Sequence, residues 1–327
     1  MKLPKKIQLK KLLKPAIISA TLLVVFSIIG VATAQEIQRT ITLVNPTIEQ
    51  KLDPGGYAEG KTKIINDSSG PLTFKVGVQD FIVTDTLGTP NLLPPDTLNT
   101  KYSAASWIGI SPDTFTLKPG EKQEISYWIQ VPKDARPGGH YAAIVYTPVV
   151  DKTVQGTGST VNTQLGSLFY ITVNGPVTEN SIVSKFFTNP FQEYGPVNIL
   201  TQIKNLGDLH VQPKGTVTVS GLFYNKTKDL PLHNIFPQTA RDYETAFGQT
   251  FMLGRYKAIL MASYGVNNNM PLTATLYFWV FPWRLALLAA LLIVATLLGA
   301  LYLKRKKQSP KDHTEAENEQ VKTPEEK

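Results

Sequence analysis

Not one of the 327 residues is cysteine. That absence removes a disulfide framework, a thiolate metal site and a cysteine nucleophile together, so the fold has to rest on ordinary hydrophobic cores. Histidine is nearly as scarce. His140, His210, His233 and His313 are the only four, and none stands in the H-x-H or H-E-x-x-H spacing that builds a metal centre. There is no G-x-S-x-G elbow and no Walker loop; "GTGST" (156–160) has glycines but neither a following lysine nor a helix to open. Between residues 37 and 281 no stretch shows a helical period.

Net charge is also missing from most of the chain. The formal charge of +8 would suggest a nucleic-acid partner if it were spread along one face. Instead, residues 1–14 carry six lysines and no acid, and the interior is close to neutral, which excludes nucleic acid and leaves a topological signal.

The two ends explain that signal. Behind the lysines, residues 16–31 are uncharged and mostly apolar, and "ATA" (32–34) supplies small residues for a signal peptidase. We read residues 1–34 as a signal peptide cut after Ala34; the alternative is a retained anchor, since the uncharged run from Pro15 to Gln35 nearly spans a bilayer. Near the other end, "LALLAALLIVATLLGALYL" (285–303) is long enough to cross a membrane, and a transmembrane helix is expected over 283–303. Trp279 and Trp283 before it are expected interfacial anchors, and Lys304, Arg305, Lys306 and Lys307 after it a basic flank that stays cytoplasmic. Residues 304–327 then form a cytoplasmic tail, and the bulk of this single-pass chain is expected outside the cell membrane.

What fills the space between is alternation. "ISYWIQV" (125–131) puts Ile125, Tyr127, Ile129 and Val131 on one face and Ser126, Trp128 and Gln130 on the other. Similar runs of five to eight residues recur, punctuated by turns such as "DPGG" (53–56) and "NDSSGP" (66–71). The fold class is therefore all-β, two tandem immunoglobulin-like antiparallel sandwiches over 37–175 and 177–281.

The two units echo each other. "GGHYAAIVY" (138–146) returns as "LGRYKAILM" (253–261), and the strand end "KIINDSSGP" (63–71) returns as "QIKNLGDLH" (202–210). From Asn66 to Gly139 is a longer path than from Asn205 to Gly254, so the first unit carries an insertion. It is expected as a long proline-rich loop over about 84–115, a natural recognition element.

Together "LDPGG", "WIGISPDTFTLKPGEKQEISYWIQVPKDARPGGHYAAIVY", "IKNLGDLHVQPKGTVTVSG", "LGRYKAIL" and the terminal helix resemble the WxL-associated cell-surface proteins, whose first domain is termed peptidoglycan-binding. The resemblance covers residues 37–175 and, more loosely, the second unit. It implies immunoglobulin-like sandwiches at the bacterial surface engaging cell-wall glycan or a neighbouring surface protein. It brings no catalytic residues. "WRL" (283–285) matches W-x-L by letters only, because it abuts the membrane helix.

Candidate ligand-binding residues are Tyr102, Trp107 and Trp128, whose rings could cover the apolar face of a pyranose; packing is the competing role for each. His140 is matched in the echo by Arg255, which reads as a surface position at a strand start rather than a ligand. The acid pairs Glu121/Glu124 and Asp242/Glu244 sit at strand edges, where carboxylates ordinarily solvate a sheet. Asn66 and Asn225 head N-x-S/T sequons that read as chance matches. The expectation is a non-enzymatic, cofactor-free surface adhesion or binding protein, with cell-wall polymer or another surface protein as partner. The alternative is a structural subunit of an envelope complex in which the sandwiches are spacers.

Overall fold

The structure, a computed structural model, describes residues 40–94, 97, 100–149, 164–222 and 224–307. The signal segment with Ala34, the Gly/Thr/Ser-rich stretch 151–160 and the tail from 308 lie outside the described residues. The described residues are all-β apart from one short 3-10 turn and a terminal helix.

Strands β1 (Ile41–Val44), β2 (Thr47–Leu52), β3 (Tyr57–Asn66), β4 (Leu72–Val83), β5 (Pro90–Leu92), β6 (Ile108–Ser111), β7 (Thr114–Leu117), β8 (Lys122–Gln130), β9 (Gly138–Val149) and β10 (Leu165–Val173) build the first two sheets. One has the order β1-β3-β8-β6; the other has β2-β10-β9-β4-β5, with β7 also paired to β4. Strands β11 (Ser181–Phe187), β12 (Phe191–Gln192), β13 (Val197–Asn205), β14 (Lys214–Gly221), β15 (Tyr224–Asp229), β16 (Ala240–Phe247), β17 (Gly254–Tyr264) and β18 (Met270–Val280) build the second pair, ordered β11-β13-β16 and β12-β18-β17-β14-β15. The two pairs repeat one plan: β2 runs parallel to β10 as β12 runs parallel to β18, and the other named pairings are antiparallel.

Alternation explains the burial of β8. Ile125, Tyr127 and Ile129 point into the first core with Ile64, Phe74, Tyr146 and Phe169, while Ser126, Trp128 and Gln130 face out. The second core is built likewise, from Ile199, Ile203, Val217, Tyr243, Leu260 and Phe278 among others. β9 departs from this pattern. Its run from Gly138 to Tyr146 is buried throughout: Ala142, Ile144 and Tyr146 enter the first core, while Tyr141, Ala143 and Val145 join Phe81, Val83, Tyr170 and, from the second sandwich, Phe236. A strand covered on both faces loses its polar alternation, which is why "YAAIVY" reads as one apolar run.

Two asparagines anchor matching corners. Asn66 ends β3 fully buried; its amide donates to the carbonyls of Gly70 (2.9 Å) and Leu117 (3.0 Å), and its Oδ1 accepts from the backbone N–H of Ser68 (3.0 Å). Asn205 ends β13 in the same way, donating to Leu209 (2.7 Å) and Ile235 (2.9 Å) and accepting from the Gly207 N–H at 2.8 Å. Each amide thus satisfies three backbone groups at a corner where the ladder cannot. Asn66, the first sequon, has no free amide to offer, whereas Asn225 lies exposed on β15.

Two expectations are corrected by the register. The glycine echo is one residue out: Gly138 pairs with Val173 at the start of β9 with φ 122°, and Gly254 pairs with Val280 at the start of β17 with φ 111°. His140 therefore corresponds to Tyr256, not Arg255, and it is buried rather than a surface residue. A slip of one residue in a strand exchanges the two faces, so Tyr141 and Tyr256, alike in sequence, point to opposite sides. The span 84–115, expected as a loop, contains β5, the 3-10 turn Ala105–Trp107, β6 and the start of β7. β6 extends its sheet by pairing with β8, which the β11-β13-β16 sheet has no counterpart for. Four residues are too few to display a period against the prolines around them.

Helix α1 (Trp283–Lys307) follows β18 after two residues and is long and apolar enough to cross a membrane.

Replacing Asn205 by leucine strands two carbonyls and an N–H in the corner. We expect the second sandwich of N205L to lose about 2–4 kcal/mol in urea unfolding, while N225A on the exposed β15 stays within about 0.5 kcal/mol of the parent.

Candidate functional site

The outward face of the β1-β3-β8-β6 sheet collects polar and aromatic side chains from β3 and β8 beside a glycine of β6. Strict alternation aims Tyr57, Glu59, Lys61 and Lys63 of β3 outward, and Glu124, Ser126, Trp128 and Gln130 of β8 with them. Register sets the neighbours: Glu59 and Gly109 flank Trp128 on either side, and Tyr57 pairs with Gln130. Trp128 is 41% exposed, and its indole lies across Gly109, where any side chain would collide with the ring. The missing Cβ on β6 lets the ring lie flat on the sheet.

Around this ring stand groups able to hydrogen-bond. The Tyr57 hydroxyl donates to Glu59 Oε2 at 2.9 Å, and that carboxylate raises the Tyr57 pKa above its ordinary value. Further along, Lys63 (2.8 Å) and Lys61 (3.2 Å) both reach Glu124 and hold its carboxyl below the usual range. The face therefore presents one aromatic plate, a tyrosine–carboxylate pair and a glutamate bridging two lysines, with Ser126 and Gln130 beside the ring. It holds no base poised on a nucleophile, and among the described residues no cluster of three His, Asp or Glu could hold a metal ion.

The other two aromatic candidates lie elsewhere. Trp107 is half-buried, packed against the His140 ring with centroids 4.4 Å apart. His140 Nδ1 is 3.0 Å from the Ser103 carbonyl and Nε2 is 2.9 Å from that of Arg136, and burial lowers its pKa. Tyr102 is half-buried too; the Arg136 guanidinium and Lys101 ammonium stand over its ring at 5.2 and 4.7 Å, and its ring lies 6.3 Å from that of Tyr141. Trp107 packs against the first core, while Tyr102 belongs to the joint between the sandwiches. There Gly139 N–H donates to Asp208 O (2.9 Å), Asp242 N–H donates to Thr86 O (2.9 Å), and Arg136 pairs with Asp208 (3.3 Å). Tyr141 carries the centre: its hydroxyl accepts the His210 backbone N–H at 3.0 Å, lies 3.3 Å from His210 Nδ1, and its ring meets Phe236 edge-on at 5.0 Å.

Of the expected membrane anchors, Trp279 is exposed on β18 and Trp283 opens α1. Lys304, Arg305 and Lys306 are exposed near its other end, about 31 Å of helix away from Trp283 and so close to one hydrocarbon thickness. Lys307 is the last helical residue. Sequence reasoning singled out Trp128 but missed Tyr57, Glu59 and Gly109; the period-two run "YAEGKTK" was the available signal for the first two.

No family model matches the chain, and no curated protein matches it. Among solved structures, one similar chain comes from the chaperone-tip adhesin complex of CFA/I fimbriae biogenesis, at 11% identity and a TM-score of 0.38, covering 73% of this chain and 98% of that one. The class 5 fimbriae chaperone CfaA is similar at 14% identity and 0.38, covering 72% and 98%. The E. coli chaperone DraB is similar at 13% identity and 0.32, covering 74% and 98%. Likeness of that degree assigns this chain no activity and no partner.

The joint makes stability depend on pH. Burial pulls the His210 pKa down to about 4, so between its ordinary value near 6.5 and about 4 the unfolded chain binds a proton that the folded chain refuses. Stability contributed by neutral His210 is therefore present above about pH 6.5 and is lost as pH falls to about 4, a loss of roughly 2–3 kcal/mol, with His140 acting in the same direction. Urea melts at pH 7 and 4.5 should show this loss, and H210N should show a clearly smaller one.

Proposed function

We propose that the chain is a membrane-anchored, non-enzymatic binding protein of the cell surface, related to the WxL-associated proteins, whose first sandwich engages cell-wall glycan through the Trp128 face. The observation that carries this reading is the indole laid flat on Gly109 with Glu59, Tyr57, Ser126 and Gln130 around it. A flat aromatic plate complements the apolar C–H face of a pyranose, and the ring of donors and acceptors complements its hydroxyls. The face is open rather than concave, which suits a polymer lying across the sheet better than a small molecule needing enclosure. Attraction by bulk charge plays little part, because Lys61 and Lys63 on this face are offset by the two carboxylates Glu124 and Glu59.

The anchor is α1, with aromatic residues at its start and Lys304, Arg305 and Lys306 at its end, the arrangement that leaves a basic flank in the cytoplasm. The sandwiches then stand outside, joined through β9 so that binding at the first is mechanically continuous with the anchor at the second.

The full-length protein in detergent, mixed with insoluble peptidoglycan and sedimented, tests this. Retention is expected, with W128A weakening it about tenfold and G109V, which displaces the ring, doing the same. Both substitutions touch an exposed face, so the urea midpoint of W128A should barely move. Absence of retention of the parent would remove the glycan reading and turn the same face toward a protein partner.

A further inference from the structure

The end of the second sandwich from which α1 departs carries exposed apolar side chains on separate connections. Leu222, at the tip of the β14–β15 hairpin, is 83% exposed; Phe251 and Leu253, between β16 and β17, are 65% and 54% exposed. Pairing places them together. Gly254 lies opposite Val280, the last residue of β18, so Leu253 and Phe251 project beyond the sheet on the helix side. The Gly195 N–H donates to Thr250 O and holds this connection against the turn after β12, whose Phe191 is exposed beside Trp279. Ser220 lies opposite Lys257, three residues from Gly254, so the hairpin tip bearing Leu222 emerges at the same end.

The helix is held there rather than swinging from a tether. Only Phe281 and Pro282 separate β18 from α1, a path of about 10 Å at most from Val280 to Trp283. Phe281 N–H donates to Gln192 O (2.9 Å), and the Glu193 carboxylate takes the Arg284 backbone N–H (3.3 Å) and pairs with its guanidinium (3.4 Å). A helix that enters a bilayer at Trp283 therefore brings these tips to the bilayer surface. Arg255 stands among them, exposed, with its guanidinium stacked on Tyr277 at 4.5 Å.

We infer that the second sandwich is seated on the outer leaflet of the membrane that α1 crosses, with Leu222, Phe251 and Leu253 inserted among the lipid headgroups and upper acyl chains. This rests on the anchored reading of α1 and adds a lipid-binding surface to the sandwich itself. Apolar loop tips beside a cationic side chain are the chemistry that partitions into the interfacial zone. The occupant is set by continuity: the leaflet begins where the helix does, within reach of every tip named.

The lack of cysteine makes the test direct. The full-length protein carrying L222C, L253C, V266C or L292C, labelled with an environment-sensitive fluorophore, is reconstituted into two sets of phosphatidylcholine–phosphatidylglycerol vesicles, brominated near the headgroup end of the acyl chains to read 222, 253 and 266 and near their methyl end to read 292. Val266 is equally exposed but lies past the Tyr264–Met270 pair at the opposite end of β17 and β18, about 33 Å along the strands. Probes at 222 and 253 are expected to shift to the blue and be quenched roughly twofold by the bromines, with the 266 probe unchanged. Quenching at 292 with none at 222 and 253 would leave the anchor standing and overturn the seat. No quenching at 292 would overturn both, and equal quenching at 266 would show indiscriminate adsorption and sink the inference as well.

Discussion

From Gly138 to Tyr146, β9 has no side that faces water, and the architecture turns on that constraint. Ala142, Ile144 and Tyr146 close the first core while Tyr141, Ala143 and Val145 meet Phe236 of the second sandwich. The strand is thus a shared wall. His140 and the Tyr141 hydroxyl find polar partners at its start, but from Ala142 to Val145 the neighbours on both faces are apolar, so the apolar run is enforced from two directions at once. The counterpart β17 is under half that constraint: Arg255 and Met261 face out while Tyr256, Ala258 and Leu260 face in. One sheet plan appears twice, and only the copy in the middle of the molecule is covered on both sides.

That difference explains how much of the fold was legible. The β8 alternation translated directly into inward and outward faces, because among the described residues the outer face of the strand stays exposed. The asparagine echo was legible and meaningful, since Asn66 and Asn205 do one job with one set of bonds. The glycine echo was legible and misleading. "GHY" and "GRY" align by letter, but strand pairing sets Gly138, not Gly139, beside Gly254 in role, and local sequence holds no record of cross-strand register. β6 escaped notice because four residues among prolines carry too little period, though its partner β8 selects it in space.

The candidate site divides along the same line. Trp128 could be seen from one strand, since its neighbours Tyr127 and Ile129 are plainly core-forming. Glu59, Tyr57 and Gly109 reach it only through pairing across strands far apart in sequence, and the role of Gly109 is defined by a ring that belongs to another strand. Tyr102 and Trp107 resembled Trp128 in type and differed in surroundings: Trp107 packs on His140 against the first core, and Arg136 and Tyr141 draw Tyr102 into the joint. Aromatic residues named by type alone were thus divided by burial into packing and display.

The attachment of β18 to α1 has a mechanical corollary. Two residues, with a carboxylate gripping the first turn of the helix, leave little room for a hinge. If the helix leans to match a thinner bilayer, the stacked sandwiches must lean with it as a lever, and the far end sweeps the larger arc. Bilayer thickness would then govern the height and pitch at which the outermost sheet meets its surroundings, with no moving part inside the protein.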